Sequence, residues 1–149
     1  HSIGGPTMYS DILLAVDLTD ESSWNKALPT AVGYCQSFGA TLHMLSVVPD
    51  FGMTVVGQYF PKNFENEAVE SARKELLALA ERQVPSGVAV EHVVAYGSIY
   101  EKILAAARTI ECDLIVMASQ RPELKDYLLG PNAARVVRHA DCSVLVVRG

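Results

Sequence analysis

The chain has 149 residues, half of them apolar and 19% charged, with a formal net charge of −5. That length can bury a sizeable core without disulfide staples, and the composition excludes a disordered segment. The acidic balance argues against a nucleic-acid partner, which needs a basic face to neutralise phosphates, yet leaves room for a small anion held by backbone dipoles.

Residues 1–7 read as an expression-tag remnant, and one domain is expected over 8–149, starting at Met8. Five strand-like runs then alternate with helix-like segments. Residues 12–16, Ile-Leu-Leu-Ala-Val, are apolar without alternation and end at Asp17. That pattern marks a strand buried on both faces of a parallel sheet. Asp11 and Asp17 bracket the run too closely for a signal peptide. Trp24, Ala27, Leu28, Ala31, Val32, Cys35 and Phe38 recur at helical spacing and give one apolar face. Pro29 bends that helix or marks its first turn, and Gly39 fits its stop. Residues 42–48 form the second strand and 88–95 the third. His43 and His92 interrupt them, which places both strands nearer an edge.

Between those two strands lies a long irregular stretch, 49–61. A helical stripe follows at Phe64, Ala68, Ala72, Leu76, Leu79 and Ala80, closed by Pro85-Ser86-Gly87. Phe51, Met53, Tyr59 and Phe60 in the stretch form a lid or partner surface, or fold onto that helix. Ile99, Ile103, Ala106, Ala107 and Ile110 make a third helix, with Ser98 and Glu101 in front as a capping box. Residues 114–118 are the fourth strand, followed by a second irregular stretch at 119–129. Ala133, Val136, Val137 and Ala140 make the last helix, with Arg135, Arg138 and His139 near its C-terminal end, where cations suit the dipole. Val144, Leu145, Val146 and Val147 are the last strand. Strands alternating with helices predict a parallel sheet covered by helices.

Several chemistries are excluded by missing motifs. There is no GxxxxGK[ST], no GxGxxG after the first strand and no GxSxG elbow. A phosphoacceptor receiver is excluded because the third strand ends without an aspartate and no lysine follows the last strand. No apolar run approaches the roughly 18 residues of a membrane span, so no membrane insertion is expected. The histidines fall on separate elements and read as core or surface imidazoles. Cys35, Cys112 and Cys142 form no CxxC, which suggests a reduced, cytoplasmic setting, and Cys112 and Cys142 beside buried strands read as inert thiols.

A crevice remains. In open parallel sheets ligands bind at the carboxyl ends of strands, where the strand order switches. Asp17 ends the first strand and Met117-Ala118-Ser119 the fourth. Ser119-Gln120-Arg121-Pro122, and then Gly130-Pro131-Asn132, lead into the last helix, whose free amides form an anion site. Val16, Val47 and Met117 supply an apolar wall, and Asp17 can hold a metal on phosphates or bond a ribose. The plainer alternative is that Asp17, Thr19 and Asp20 only cap the first helix.

The string Met117-Ala118-Ser119-Gln120-Arg121-Pro122, then residues 127–133 (Tyr-Leu-Leu-Gly-Pro-Asn-Ala) and 136–147, resembles the C-terminal signature of the universal stress protein family. It is most similar to the F/G branch of the bacterial proteins. Ala15-Val16-Asp17 resembles the family's first nucleotide loop. The resemblance implies a three-layer Rossmann-like α/β fold of the adenine nucleotide alpha hydrolase type, with five parallel strands in the order 3-2-1-4-5. It also implies a homodimer joined along the last strand, at Val144, Leu145, Val146 and Val147.

Nucleotide-binding members of the family carry G-x2-G-x9-G followed by Ser or Thr. This chain has Ala118 and Arg121 at the first two glycine places, keeps Gly130, and has Pro131 at the Ser/Thr place. Only eight residues, 122–129, separate Arg121 from Gly130. The F/G branch shares the Ala-Ser-x-Arg-Pro string and this spacing. The resemblance therefore implies binding of ATP, ADP or AMP, with Mg²⁺ a further candidate. The site residues would be Ala15, Val16, Asp17, Val47, Met117, Ala118, Ser119, Gln120, Arg121, Gly130, Pro131 and Asn132, with Arg121 a charged fork for phosphate.

Two functions follow from these features. One is a stress-response regulator or sensor that binds an adenine nucleotide, hydrolyses it slowly at most, and acts on an unidentified protein partner. The other is a nucleotide-free homodimeric interaction module whose crevice is closed by Arg121 and Pro131. An ATP-using enzyme of related fold would need a serine-glycine-glycine loop after the first strand, which is missing.

Overall fold

The computed structural model describes residues 8–49, 64–119 and 130–148. Residues 1–7 and most of both irregular stretches lie outside them. The five strands are β1 (Asp11–Val16), β2 (Thr41–Pro49), β3 (Val90–Gly97), β4 (Leu114–Ala118) and β5 (Ser143–Val147). They form one parallel sheet in the order β3-β2-β1-β4-β5, as the resemblance implies. The helices are α1 (Ala27–Phe38), α2 (Phe64–Gln83), α3 (Ile99–Ile110) and α4 (Pro131–His139).

The unbroken apolar run of β1 has a direct cause. β1 is central, paired with β2 on one side and β4 on the other, and both its faces are covered. Side chains alternate across a strand. Ile12 and Leu14 therefore pack with α1 and α2 residues such as Leu28 and Leu76, and Leu13 packs with Ile103 and Val136 of α3 and α4.

Three expectations need correction. α1 starts at Ala27, three residues beyond Trp24. The Asp20 carboxylate accepts from the Ser22 N–H and hydroxyl at 3.0 and 2.7 Å, and so caps a separate 3-10 turn at Glu21–Ser23. Pro29 then falls in the first turn of α1, where its missing N–H removes no ladder bond. The expected capping box is not formed. Ser98 sits at the cap of α3 without a side-chain bond, and the Glu101 carboxylate accepts instead from the Tyr100 hydroxyl at 3.4 Å. Third, β2 is an interior strand. His43 is buried there because its Nε2 pairs with Asp11 Oδ1 at 2.9 Å, whereas His92 does lie on an edge strand, β3.

The amino ends of the strands are tied by polar groups. Asp113 accepts from the Ser10 and Asp11 amides at 2.8 and 3.1 Å, and its own N–H donates to the Asp11 carbonyl. From β1 the chain leaves for β2, while β4 lies on its other side, so a crevice forms between them. No helix among the described residues is long and apolar enough to cross a membrane.

Candidate functional site

A cleft of about 840 Å³ opens at the carboxyl ends of β1 and β4. That volume lies within the range of small-molecule sites. Ala15, Val16, Asp17, Val47, Met117, Ala118, Ser119, Gly130, Pro131 and Asn132 all line it. Gln120 and Arg121 lie outside the described residues, as do Phe51, Met53, Tyr59 and Phe60.

The loop after β1 holds itself together. Asp17 Oδ1 accepts from the Thr19 N–H at 2.9 Å and the Thr19 hydroxyl at 2.7 Å. Ser23 Oγ donates to the Asp17 carbonyl and accepts from the Asp17 N–H. These bonds fix the carboxylate of Asp17 and leave Oδ2 without a partner among the described residues. Asp17 therefore turns its own loop rather than capping α1. After β4, the Ser119 N–H donates to the Val147 carbonyl at 2.9 Å, extending the ladder to the cleft's rim.

The opposite wall is the start of α4. Pro131 occupies its first turn, and the first ladder bond runs from the Ala134 N–H to the Gly130 carbonyl at 2.9 Å. Gly130 is buried with φ −75°, a conformation open to any residue, so its lack of a side chain matters for space. α4 is anchored by Val136, which is 0% exposed, and by the Arg135 guanidinium 5.0 Å from the centre of the Tyr100 ring on α3.

Among the lining residues that sequence reasoning missed are Ser46 on β2, and Ser71 and Glu75 on α2. Ser46 is 4% exposed and lines the cleft from β2. Its signal was present, since it is the one hydroxyl in the apolar run 42–48. Ser71 and Glu75 sit four apart, one residue off the Ala68–Ala72 stripe, so the apolar pattern does not pick them out. Asp17, Asp20 and Glu75 all line the cleft.

A smaller cavity of about 260 Å³ lies beside Cys112 and Cys142. Burial pushes the Cys112 thiol up to about 12, helped by the charges of Asp11, Cys142 and Asp113. Cys142 is raised chiefly by burial as well. Thiols held protonated are poor nucleophiles.

The model of the universal stress protein family matches residues 8–148. The chain belongs to the universal stress protein family. Among its relatives, universal stress protein G of Escherichia coli O157:H7 is 28% identical over 143 residues, spanning 95% of this chain and 100% of that one. The universal stress protein UspA from Lactobacillus plantarum superposes with a TM-score of 0.70 at 26% identity, over 94% of this chain and 98% of that one. A universal stress protein from Archaeoglobus fulgidus, solved in complex with dAMP, superposes with a TM-score of 0.64 at 16% identity. That match covers 93% of this chain and 98% of the other. This universal stress protein thus shares the family's sheet order.

Proposed function

We propose that the cleft binds an adenine nucleotide, ATP, ADP or AMP, and that its occupancy makes the protein a cytoplasmic stress-response regulator or sensor. The observation that carries this reading is the cleft at the switch between β1 and β4, with the start of α4 on one wall and apolar Val16, Val47 and Met117 on another. The dAMP complex of the Archaeoglobus fulgidus relative supports it. In this reading the adenine packs on Val47 and Met117, with Ala15 and Val16 beneath. The phosphates meet Ala118, Ser119, Gly130, Pro131 and Asn132, with Gln120 and Arg121 as further donors.

Mg²⁺ prefers a few carboxylates together with substrate phosphates. Asp17 fits that role through Oδ2, since Oδ1 is committed to Thr19. The ion would neutralise phosphate charge and orient the chain of phosphates. Hydrolysis is expected to be slow, because no residue stands out as a general base and Asp17 Oδ1 is already tied into its own loop.

The protein is also proposed to form a homodimer along β5. Among the described residues that strand pairs only with β4, leaving an outer backbone edge at Val144, Leu145, Val146 and Val147. A second reading, a nucleotide-free interaction module, draws on Pro131, which removes one amide from the anion site.

The test is to denature freshly purified protein, identify released nucleotides by mass, and titrate ATP with and without Mg²⁺ by calorimetry. Stoichiometric nucleotide or micromolar binding is expected. Gly130→Asp, which adds bulk and negative charge beside the proposed phosphates, is expected to abolish binding. An empty protein silent through millimolar ATP, or a Gly130→Asp variant that binds like wild type, would sink the reading.

A further inference from the structure

We infer that Cys112 and Cys142 form a paired-thiol site for a trivalent arsenical, a compound of the form R–As=O that needs only two sulfurs from the protein. The site is the smaller cavity of about 260 Å³, which shares no lining residue with the cleft and is independent of nucleotide binding.

The fold brings the two thiols together. Both cysteines line this cavity. Cys112 lies just ahead of β4 and Cys142 just ahead of β5, and the two strands pair from Leu114 and Ser143 onward. Adjacent strands run about 4.8 Å apart, so one atom between them can reach both sulfurs. Cys112 is held in place, because Glu111 turns the chain with φ 62° and the Cys112 N–H donates to the Ala107 carbonyl at 2.9 Å. The charge of Cys142 acts on Cys112, which reports the same closeness. Cys35 is buried in the core on the other face of the sheet.

The surroundings select the ligand. Sulfur donors favour soft, thiophilic elements. Structural zinc takes four ligands, and among the described residues no three His, Cys, Asp or Glu side chains come together to hold a metal ion. Copper(I) is satisfied by two sulfurs, but its complex with two thiolates is negatively charged. That charge would fall among the carboxylates of Asp11, Asp113 and Asp141, which already act on these thiols. Arsenic(III) brings its own third substituent and gives a neutral product. Leu104, Ala107, Ile115 and Ala140 offer that substituent an apolar seat. Cys142 is half-buried, and the exposed Arg108 and Asp141 line the same cavity, so the site is reached from solvent.

Two As–S bonds form, two S–H bonds break, and the arsenic oxygen leaves as water. The protons that burial holds on the thiols leave with that oxygen. No electrons are transferred, so no oxidant is required. A disulfide between the same sulfurs would need one, together with a thiolate that burial disfavours.

The experiment adds phenylarsine oxide to the reduced full chain, removes the excess, and follows native mass spectra during titration with a monothiol, mercaptoethanol, and a dithiol, dithiothreitol. One arsenical per chain is expected, resisting the monothiol and lost to the dithiol. Digestion of the loaded protein should give the Cys112 and Cys142 peptides joined through arsenic. Cys35→Ser should behave as wild type. Cys112→Ser and Cys142→Ser, each checked for wild-type circular dichroism, should release the arsenical at a monothiol concentration at least about tenfold lower, since only one of two linked bonds remains. Should Cys112→Ser unfold, the half-buried Cys142 and the wild-type peptide map decide. Wild type that takes up no arsenical, or loses it to the monothiol as readily as the variants, would overturn the inference. So would joined peptides that include Cys35, or either variant holding the arsenical like wild type.

Discussion

At Gly97 the chain passes from β3 toward α3 with φ 143°, a region that side chains rarely tolerate. A Cβ there would lie 2.7 Å from Lys102 Cε, a flexible atom that can swing aside, so the backbone sets the cost. Gly97→Ala is expected to lower stability by about 1–3 kcal/mol, read as a lower urea midpoint. The buried thiols make a second prediction. Burial raises Cys35 to about 11 and Cys112 to about 12, from 9.0. Once pH passes that ordinary value, unfolded thiols release protons that the folded ones keep. Stability from this source is therefore complete below about pH 9 and declines as pH rises toward about 12. Urea midpoints should fall across that window, and less steeply in Cys112→Ala. Asp17 was legible as a cleft residue because it ends an apolar run. The pairing that buries His43 was not, since its partner Asp11 lies on a neighbouring strand and register cannot be read from spacing.

Elements were the most legible scale, and their starts the least. Every apolar stripe became a helix, but Trp24 was assigned to α1 because its spacing matched, while Asp20 had already built a separate turn. Spacing sees the face of a helix and is blind to which polar atom wins a competition for an amide. Ser98 and Glu101 failed as a capping box for the same reason. The stripe on α2 allows a paired test. Leu76 is 0% exposed in the core, and its neighbour Leu77 is 40% exposed. Leu76→Ala is expected to cost about 2–5 kcal/mol, from lost burial plus the cavity left behind. Leu77→Ala should stay within about 0.5 kcal/mol. Thermal or urea unfolding of the two variants checks the contrast.

For the whole molecule, the alternation of strands and helices gave the fold class, but not the strand order. That came with the family resemblance, because nothing in a strand's own residues names its neighbours. The cleft was half legible. Its β1, β4 and α4 walls follow from the topology, whereas Ser71 and Glu75 reach it only through the packing of α2 on the sheet. The proposed dimer is also a property at this scale. Val146→Lys places a charge on the β5 edge and is expected to shift the protein from dimer to monomer in sedimentation velocity. A wild type already monomeric at high concentration would remove the proposal.

The central position of β1 also sets the order in which the fold can close during synthesis. β1, β2 and β3 are made in sequence and can pair as they emerge, but the other edge of β1 belongs to β4. About 100 residues separate the two strands, which at about 5–20 residues per second is about 5–20 s of translation. Throughout that interval the most apolar strand of the nascent chain offers an unpaired backbone edge to any neighbour. The ribosome-bound chain is therefore expected to be most prone to misassembly, and most dependent on chaperones, between completion of β3 and arrival of β4.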